Sequence, residues 1–263
     1  MLNNPILNTK KTKISCALVS VFDKTNLFPL IEELIKHDVE ILSTGSTAKT
    51  LRDEEIEVLD VSKYTNFPEI MNGRVKTINP LIEGGILGLR DRHKDESIEH
   101  NIKWIDLVVC NLYPFHETIS KDERNLAVAL ENIDIGGPTM VRAAAKNYND
   151  VTILTSPHQY LSFINQLNQN NGSTSLEFRK TMSRIAFTET AYYDSLIANY
   201  FNKITNNYFP QKKIFHFNLI EKLRYGENPH QISAIYSKNK DFKLKKIHGK
   251  QLSYNNYNDI FAA

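Results

Sequence analysis

Cysteine is scarce: the 263 residues include two, Cys16 and Cys110. Both lie inside apolar, strand-like runs, which excludes a disulfide framework and points to a reducing compartment, with the cytoplasm as the default. No run of about 18 or more apolar residues occurs, so no segment is expected to span a membrane. The opening MLNNPILNTKKTK lacks the apolar stretch of about 7 to 15 residues that a secretory signal needs. A surplus of one charge sign is missing too: 32 Lys+Arg stand against 30 Asp+Glu, a formal net charge of +2. Nucleic-acid wrappers usually concentrate a basic surplus, so no nucleic-acid partner is expected. The HExxH and CxxC spacings of metal sites are absent, and His93 and His100 sit in a charged segment, so no metal is expected. Neither a Walker loop nor GxGxxG is present.

What is there is ordinary globular material, 41% hydrophobic and 24% charged, enough for a sizeable core in one large domain or one domain plus a second piece. Residues 1–13 are polar and aperiodic and read as a loose leader. Ile14 to Val21 is an apolar run suited to a buried parallel strand. Leu27, Leu30, Ile31, Leu34 and Ile35 then repeat with helical spacing. Val39 to Leu42 predicts a second strand, Ala48 to Glu55 a helix, and Glu57 to Val61 a third strand. That alternation predicts an α/β fold with a parallel sheet flanked by helices. The alternation lapses between Ser62 and Arg92, a Gly/Pro-punctuated stretch and so a candidate for function. Strands over Ile105 to Leu112 and Val151 to Leu154 follow, with helices over Asn125 to Asn132, Thr139 to Asn147 and Ser175 to Asn202. The last fifty residues show a strand over Ile232 to Tyr236 and no helix pattern. The expected division is 14–205 for the main domain, 206–222 for a linker and 223–263 for a short, incomplete segment of a second domain.

Ligands of open parallel sheets bind beyond the carboxyl ends of the strands. The residues there are Ser20 and Lys24, Ser43-Thr44-Gly45-Ser46-Thr47, Asn111 and Tyr113, and Asp134 with Gly136-Gly137. The hydroxyls, glycine and helix start of the second group suit a phosphate, or merely cap a helix. Arg74 and Lys76 alternate toward one side of an extended segment, shaped by Asn72-Gly73 and Asn79-Pro80, either as a positioned anion-binding pair or as solvated loop charges. Lys146 closes a helix, where it complements the dipole or serves function.

Taken in order, SVFDKTNL, LSTGSTAKTL, FPEIMNGRVKTINP, GGILGLR, DLVVCNLYPF, ENIDIGGPTMVRAAAKN and LRYGENPHQ resemble one family, the bifunctional purine biosynthesis enzymes. These join an inosine monophosphate (IMP) cyclohydrolase domain of methylglyoxal-synthase-like fold to a folate-dependent AICAR formyltransferase domain. The resemblance implies that residues 14 to about 203 form the cyclohydrolase domain and that Leu223 to Asn256 match only the opening of the formyltransferase, as in a truncated chain.

The implied reaction closes the ring of 5-formamido-AICAR ribotide to give IMP and water, with no cofactor; 10-formyltetrahydrofolate belongs to the family's other domain. By resemblance, Ser20, Lys24, Ser43, Thr44, Gly45 and Ser46 hold the ribose phosphate, aided by Arg74 and Thr77. Lys76 sits by the formyl oxygen. Asn111 and Tyr113 orient the base, beside Ile135, Gly136 and Gly137. Asp134 and Lys146 move protons, Lys146 being the expected main acid/base. Arg224 and Tyr225 match half of an AICAR site. A homodimer is implied. Phe22 stands where the family commonly has a second serine, and Asn79 and Glu83 stand where it has histidines. A phosphate- or nucleotide-sensing regulatory module of the same fold is the alternative.

Overall fold

The computed structural model describes residues 11–121, 125–238 and 247–262. Most of the expected leader, residues 1–10, lies outside the described residues. The last residues of that expected leader take part in a sheet: β1 (Thr12–Lys13) pairs antiparallel with β7 (Ser173–Thr174). The central sheet holds β2 (Cys16–Val19), β3 (Glu40–Ser43), β4 (Leu59–Asp60), β5 (Leu107–Val109) and β6 (Thr152–Leu154), all parallel, in the order β4-β3-β2-β5-β6. The expected α/β architecture is therefore borne out.

Successive strand residues face opposite sides of a sheet. All residues of β2, β5 and β6 are buried, so both faces are covered, as continuous apolar runs require. Register aligns Leu42, Leu18, Val108 and Ile153 in one row, and none of the four is more than 1% exposed. Truncating Leu18 to alanine in such a row costs about 2–5 kcal/mol.

The helices of this part are α1 (Leu27–Lys36), α2 (Gly45–Asp53), α3 (Val61–Thr65), α4 (Pro80–Leu87), α5 (Lys94–Glu99), α6 (Phe115–Lys121), α7 (Leu126–Glu131), α8 (Gly136–Lys146) and α9 (Tyr160–Gln169). A long α10 (Leu176–Ile204) follows. α8 lies against β5 and β6 and packs on α4, while α1 packs on α9. Arg179 of α10 is fully buried. Its guanidinium donates to the carbonyls of Tyr148 at 2.8 Å, Asn149 at 2.9 Å and Thr174 at 2.5 Å. Burial pulls its pKa down to about 10, so the group stays charged and clips α10 to the loop after α8.

Two helices of the irregular stretch, α3 and α4, were not anticipated, nor was α5 just beyond it. α4 has clear end signals, since Asn79 Oδ1 accepts from the Leu81 N–H at 2.9 Å and Pro80 fills the first turn. The Gly84-Gly85 pair hid it. Helix propensity yields here to close approach, because a Cβ on Gly85 would lie 2.4 Å from the Lys103 carbonyl oxygen.

The chain divides into two compact units, residues 1–197 and 198–263. In the second, β8 (Asn218–Lys222) pairs antiparallel with β9 (Ala234–Ser237), and α11 (Tyr254–Ala262) ends the described chain. Two expectations change. β8 occupies part of the expected linker, and α11 forms where no helix pattern was read. Tyr257, the buried residue of α11, donates from its hydroxyl to Glu221 at 3.1 Å, a tertiary anchor that a short polar run does not advertise.

Candidate active site

The strand order reverses between β2 and β5, and a cleft of about 910 Å³ opens at that point, where open α/β sheets bind ligands. Ser20 and Phe22 after β2, Thr44 to Thr47 after β3, Asn111 and Tyr113 after β5, the 72–78 segment and residues 130–137 line it.

Thr44 precedes α2 in extended backbone, and Gly45 enters the helix at φ +57°. The first-turn N–H groups of α2 have no partners within the helix and lie at the cleft wall. The hydroxyls are divided in a way the sequence could not reveal. Ser43 is buried and donates to the Val19 carbonyl at 2.7 Å, tying β3 to β2; it does not line the cleft, contrary to its expected phosphate role. Thr47 donates to the Val21 carbonyl and accepts from the Val21 N–H, both at 3.0 Å. Thr44 donates to Glu69 Oε1 at 2.6 Å. That leaves Ser46, whose oxygen accepts from Lys24 Nζ at 3.5 Å, and Ser20. Lys24 stands at the rim and lines an adjoining cleft of about 640 Å³.

The irregular stretch delivers the cation. Ile70 and Val75 form an antiparallel bridge around a 3₁₀ turn at Met71–Gly73, and Lys76 leaves that hairpin into the cleft. Its Nζ lies 3.7 Å from Glu69 Oε2. Gly45 and Gly73 flank it: a Cβ on Gly73, which sits at φ +81°, would come 2.8 Å from Lys76 Cε, and one on Gly45 would come 3.2 Å from Nζ. Arg74 is exposed and pairs with Glu131 of α7. Thr77 is buried, with its hydroxyl against Gly136.

Asn111 is committed elsewhere than expected. Its Oδ1 accepts from the N–H groups of Phe22 at 2.7 Å and Asp23 at 2.9 Å, and its Nδ2 donates to the Asp23 carbonyl at 2.8 Å. It fixes the loop after β2 rather than holding a base by its amide. The loop presents Phe22 edge-on to Tyr113, ring centres 5.6 Å apart. Burial raises the Tyr113 pKa, and the charge of Asp134 adds to it, so the phenol keeps its proton.

Asp134 caps α8, its Oδ1 accepting from the Gly137 N–H at 2.8 Å. Burial raises its pKa, opposed by the N–H groups of Gly137 and Tyr113 and by Lys76. Its own N–H donates to the Tyr193 hydroxyl at 2.8 Å, and that hydroxyl donates to the Asn132 carbonyl at 3.3 Å. Tyr193 of α10, whose pKa burial pushes up to about 12, thus positions Asp134. Ile135, Gly136 and Gly137 line the cleft as expected.

Lys146 is not brought in. It is exposed at the far end of α8 and absent from the cleft wall, ten residues beyond Gly136, a rise of about 15 Å. The expected main acid/base therefore has no contact with the other groups in this chain. Arg224 and Tyr225 belong to the second unit, where the guanidinium lies 4.8 Å above the Tyr225 ring. Among the described residues, no group of three or more His, Cys, Asp or Glu side chains is placed to hold a metal ion.

Residues 26–139 match the profile of the MGS-like domain, and residues 144–263 that of the AICARFT/IMPCHase bienzyme. The chain is 46% identical to the bifunctional purine biosynthesis protein PurH of Bacillus subtilis over 95% of its own length and 50% of the relative's. It is 42% identical to PurH of Magnetococcus marinus, covering 49% of that protein. A solved structure titled "Crystal structure of ForH" is 32% identical, with TM-score 0.64, and matches 72% of this chain and 99% of its own. The chain belongs to the bifunctional purine biosynthesis family. It spans about half the length of the curated PurH relatives it matches. Of the three positions at which a departure from the family was expected, Asn79 caps α4, Phe22 packs on Tyr113, and Glu83 is half-buried, with its pKa raised by desolvation.

Proposed function

We propose that the cleft closes the purine ring of 5-formamido-AICAR ribotide, giving IMP and water. The observation that supports this most is the meeting of Lys76, Tyr113 and Asp134, from three separate stretches, in one cleft that also receives the first turns of α2 and α8. The ribose phosphate sits at the α2 N-terminus with Ser46, Ser20 and Arg74, where free N–H groups and the helix dipole favour an anion. The carboxamide nitrogen attacks the formyl carbon. One proton leaves the carboxamide nitrogen and one the formamide nitrogen, and the formyl oxygen departs with both as water.

In this scheme Asp134 receives the carboxamide proton, its basicity raised by burial. Lys76 faces the formyl oxygen as it gains charge, and the protonated Tyr113 phenol donates a hydrogen bond at the same end. Both reacting atoms belong to one molecule, so the cleft's shape acts by holding the conformer that turns the formyl carbon onto the carboxamide nitrogen. No formyl transfer is assigned to Arg224 and Tyr225, which engage each other. The same proposal places the protein in the cytoplasm as a homodimer; among the described residues, no helix is long and apolar enough to cross a membrane.

The test is incubation of the purified chain with 5-formamido-AICAR ribotide in the absence of folate, followed by ultraviolet absorbance. IMP formation is the expected result. Nucleotide binding without turnover would favour the regulatory-module reading instead.

A further inference from the structure

We propose that Glu69 is the positioning residue that yokes Lys76 to the start of α2, so that the reacting cation and the phosphate subsite move as one body. The claim about catalysis rests on the cyclohydrolase reading; the claim about Lys76 itself does not.

Glu69 does not line the cleft. It stands behind Lys76, and its two oxygens are divided: Oε1 accepts the Thr44 hydroxyl at 2.6 Å, and Oε2 lies 3.7 Å from Lys76 Nζ. The Ile70–Val75 bridge makes this pairing a matter of register, because Glu69 and Lys76 are the next residues outward on the two arms of the hairpin. Thr44 is the residue before α2, and its side chain makes no bond to the helix it precedes. A residue well suited to capping has turned its hydroxyl to Glu69 instead.

The carboxylate is not there chiefly for stability. The side chains of Lys76 and Glu69 are 30% and 37% exposed, and ion pairs with that much water around them contribute little to folding. Nor is Glu69 suited to bind substrate, since an anion beside a phosphate subsite repels it. What remains is geometry. Backbone at Gly45 and Gly73 confines Lys76 along its length, and Glu69 fixes its tip. The sequence hid this role: Glu69 reads as one more polar residue in FPEIMNGRVKTINP.

The decisive variant is Glu69→Gln, which keeps an acceptor for Thr44 and removes the charge that holds Lys76. Two readouts are needed. Turnover of 5-formamido-AICAR ribotide should fall about tenfold in kcat with no rise in KM, the pattern of a lost transition-state contact. Labelling by an acetylating N-hydroxysuccinimide ester, quantified by peptide mass spectrometry, should show the Lys76 rate changed at least about threefold relative to Lys49, since amine reactivity follows its charge environment. Glu69→Asp, which restores the charge, should recover part of both. An unchanged Lys76 labelling rate overturns the proposal whether or not the wild-type chain turns over. Equal losses in kcat, nucleotide affinity and melting temperature would also overturn it, by making Glu69 structural. Altered labelling in a chain that forms no IMP would uphold the yoke and remove the cyclohydrolase reading alone.

Discussion

The two ends of α8 carry chemistry-bearing residues from one stretch of sequence, and only one end reaches the cleft. At the start, Asp134 caps the helix and Gly136 and Gly137 line the wall. At the other end Lys146 points to solvent. A motif that is continuous in the chain is stretched by helical rise over about 15 Å. Lys76, 58 residues before Asp134 in sequence, is the lysine that joins it, and its charge opposes the rise in the Asp134 pKa.

The sharpest way to break this contrast is to remove each lysine. Lys76→Ala should lower kcat/KM for IMP formation by about 10²–10³-fold, the usual loss for a preorganised group facing a developing oxyanion. Asp134→Asn should cost a similar factor, mostly in kcat. Next comes Tyr193→Phe, which leaves the Asp134 N–H and the Asn132 carbonyl without the hydroxyl. A loss of about tenfold in kcat is expected, with folding stability lowered by about 1–3 kcal/mol, the cost of an unpaired half-buried group, and a correspondingly lower melting temperature. Lys146→Ala should change kcat/KM by less than about threefold, the ordinary result for an exposed helix-end cation. Steady-state kinetics on the four variants would check the order.

The smallest effect concerns pH. Burial raises the Asp134 pKa above its unfolded value, so the folded state holds this proton more tightly. Its contribution to stability is fully present below the unfolded value and is lost as pH rises through the folded one. Denaturant titrations across that acid window should show wild-type stability falling, relative to Asp134→Asn, as pH increases. A flat difference would place the carboxyl in water, at odds with its place at the head of α8.

How much of this was legible depended on what each residue is asked to do. The sheet was readable because β2, β5 and β6 are buried on both faces and therefore run continuously apolar. α4 was not, because Gly84-Gly85 serves contact with the segment around Lys103 at the expense of helix propensity. In the site, Asp134 and Lys76 could be named from motif and charge. The division of labour among Ser43, Thr44 and Thr47 could not: three similar hydroxyls differ only in which way the backbone turns them. Asn111 misled for the same reason, since an amide at a strand end can serve a ligand or a loop, and here it serves the loop. Lys146 is close to Asp134 in the motif but a helix length away from it in this chain, a separation that the motif alone does not display.

The most direct test of the central claim is a crystal structure with IMP bound. The account predicts the phosphate at the first turn of α2, near Ser46 and Arg74, with the purine ring between Lys76 and Asp134 and Lys146 out of reach. A nucleotide seated against Lys146, or one whose ring points away from Lys76, would contradict it.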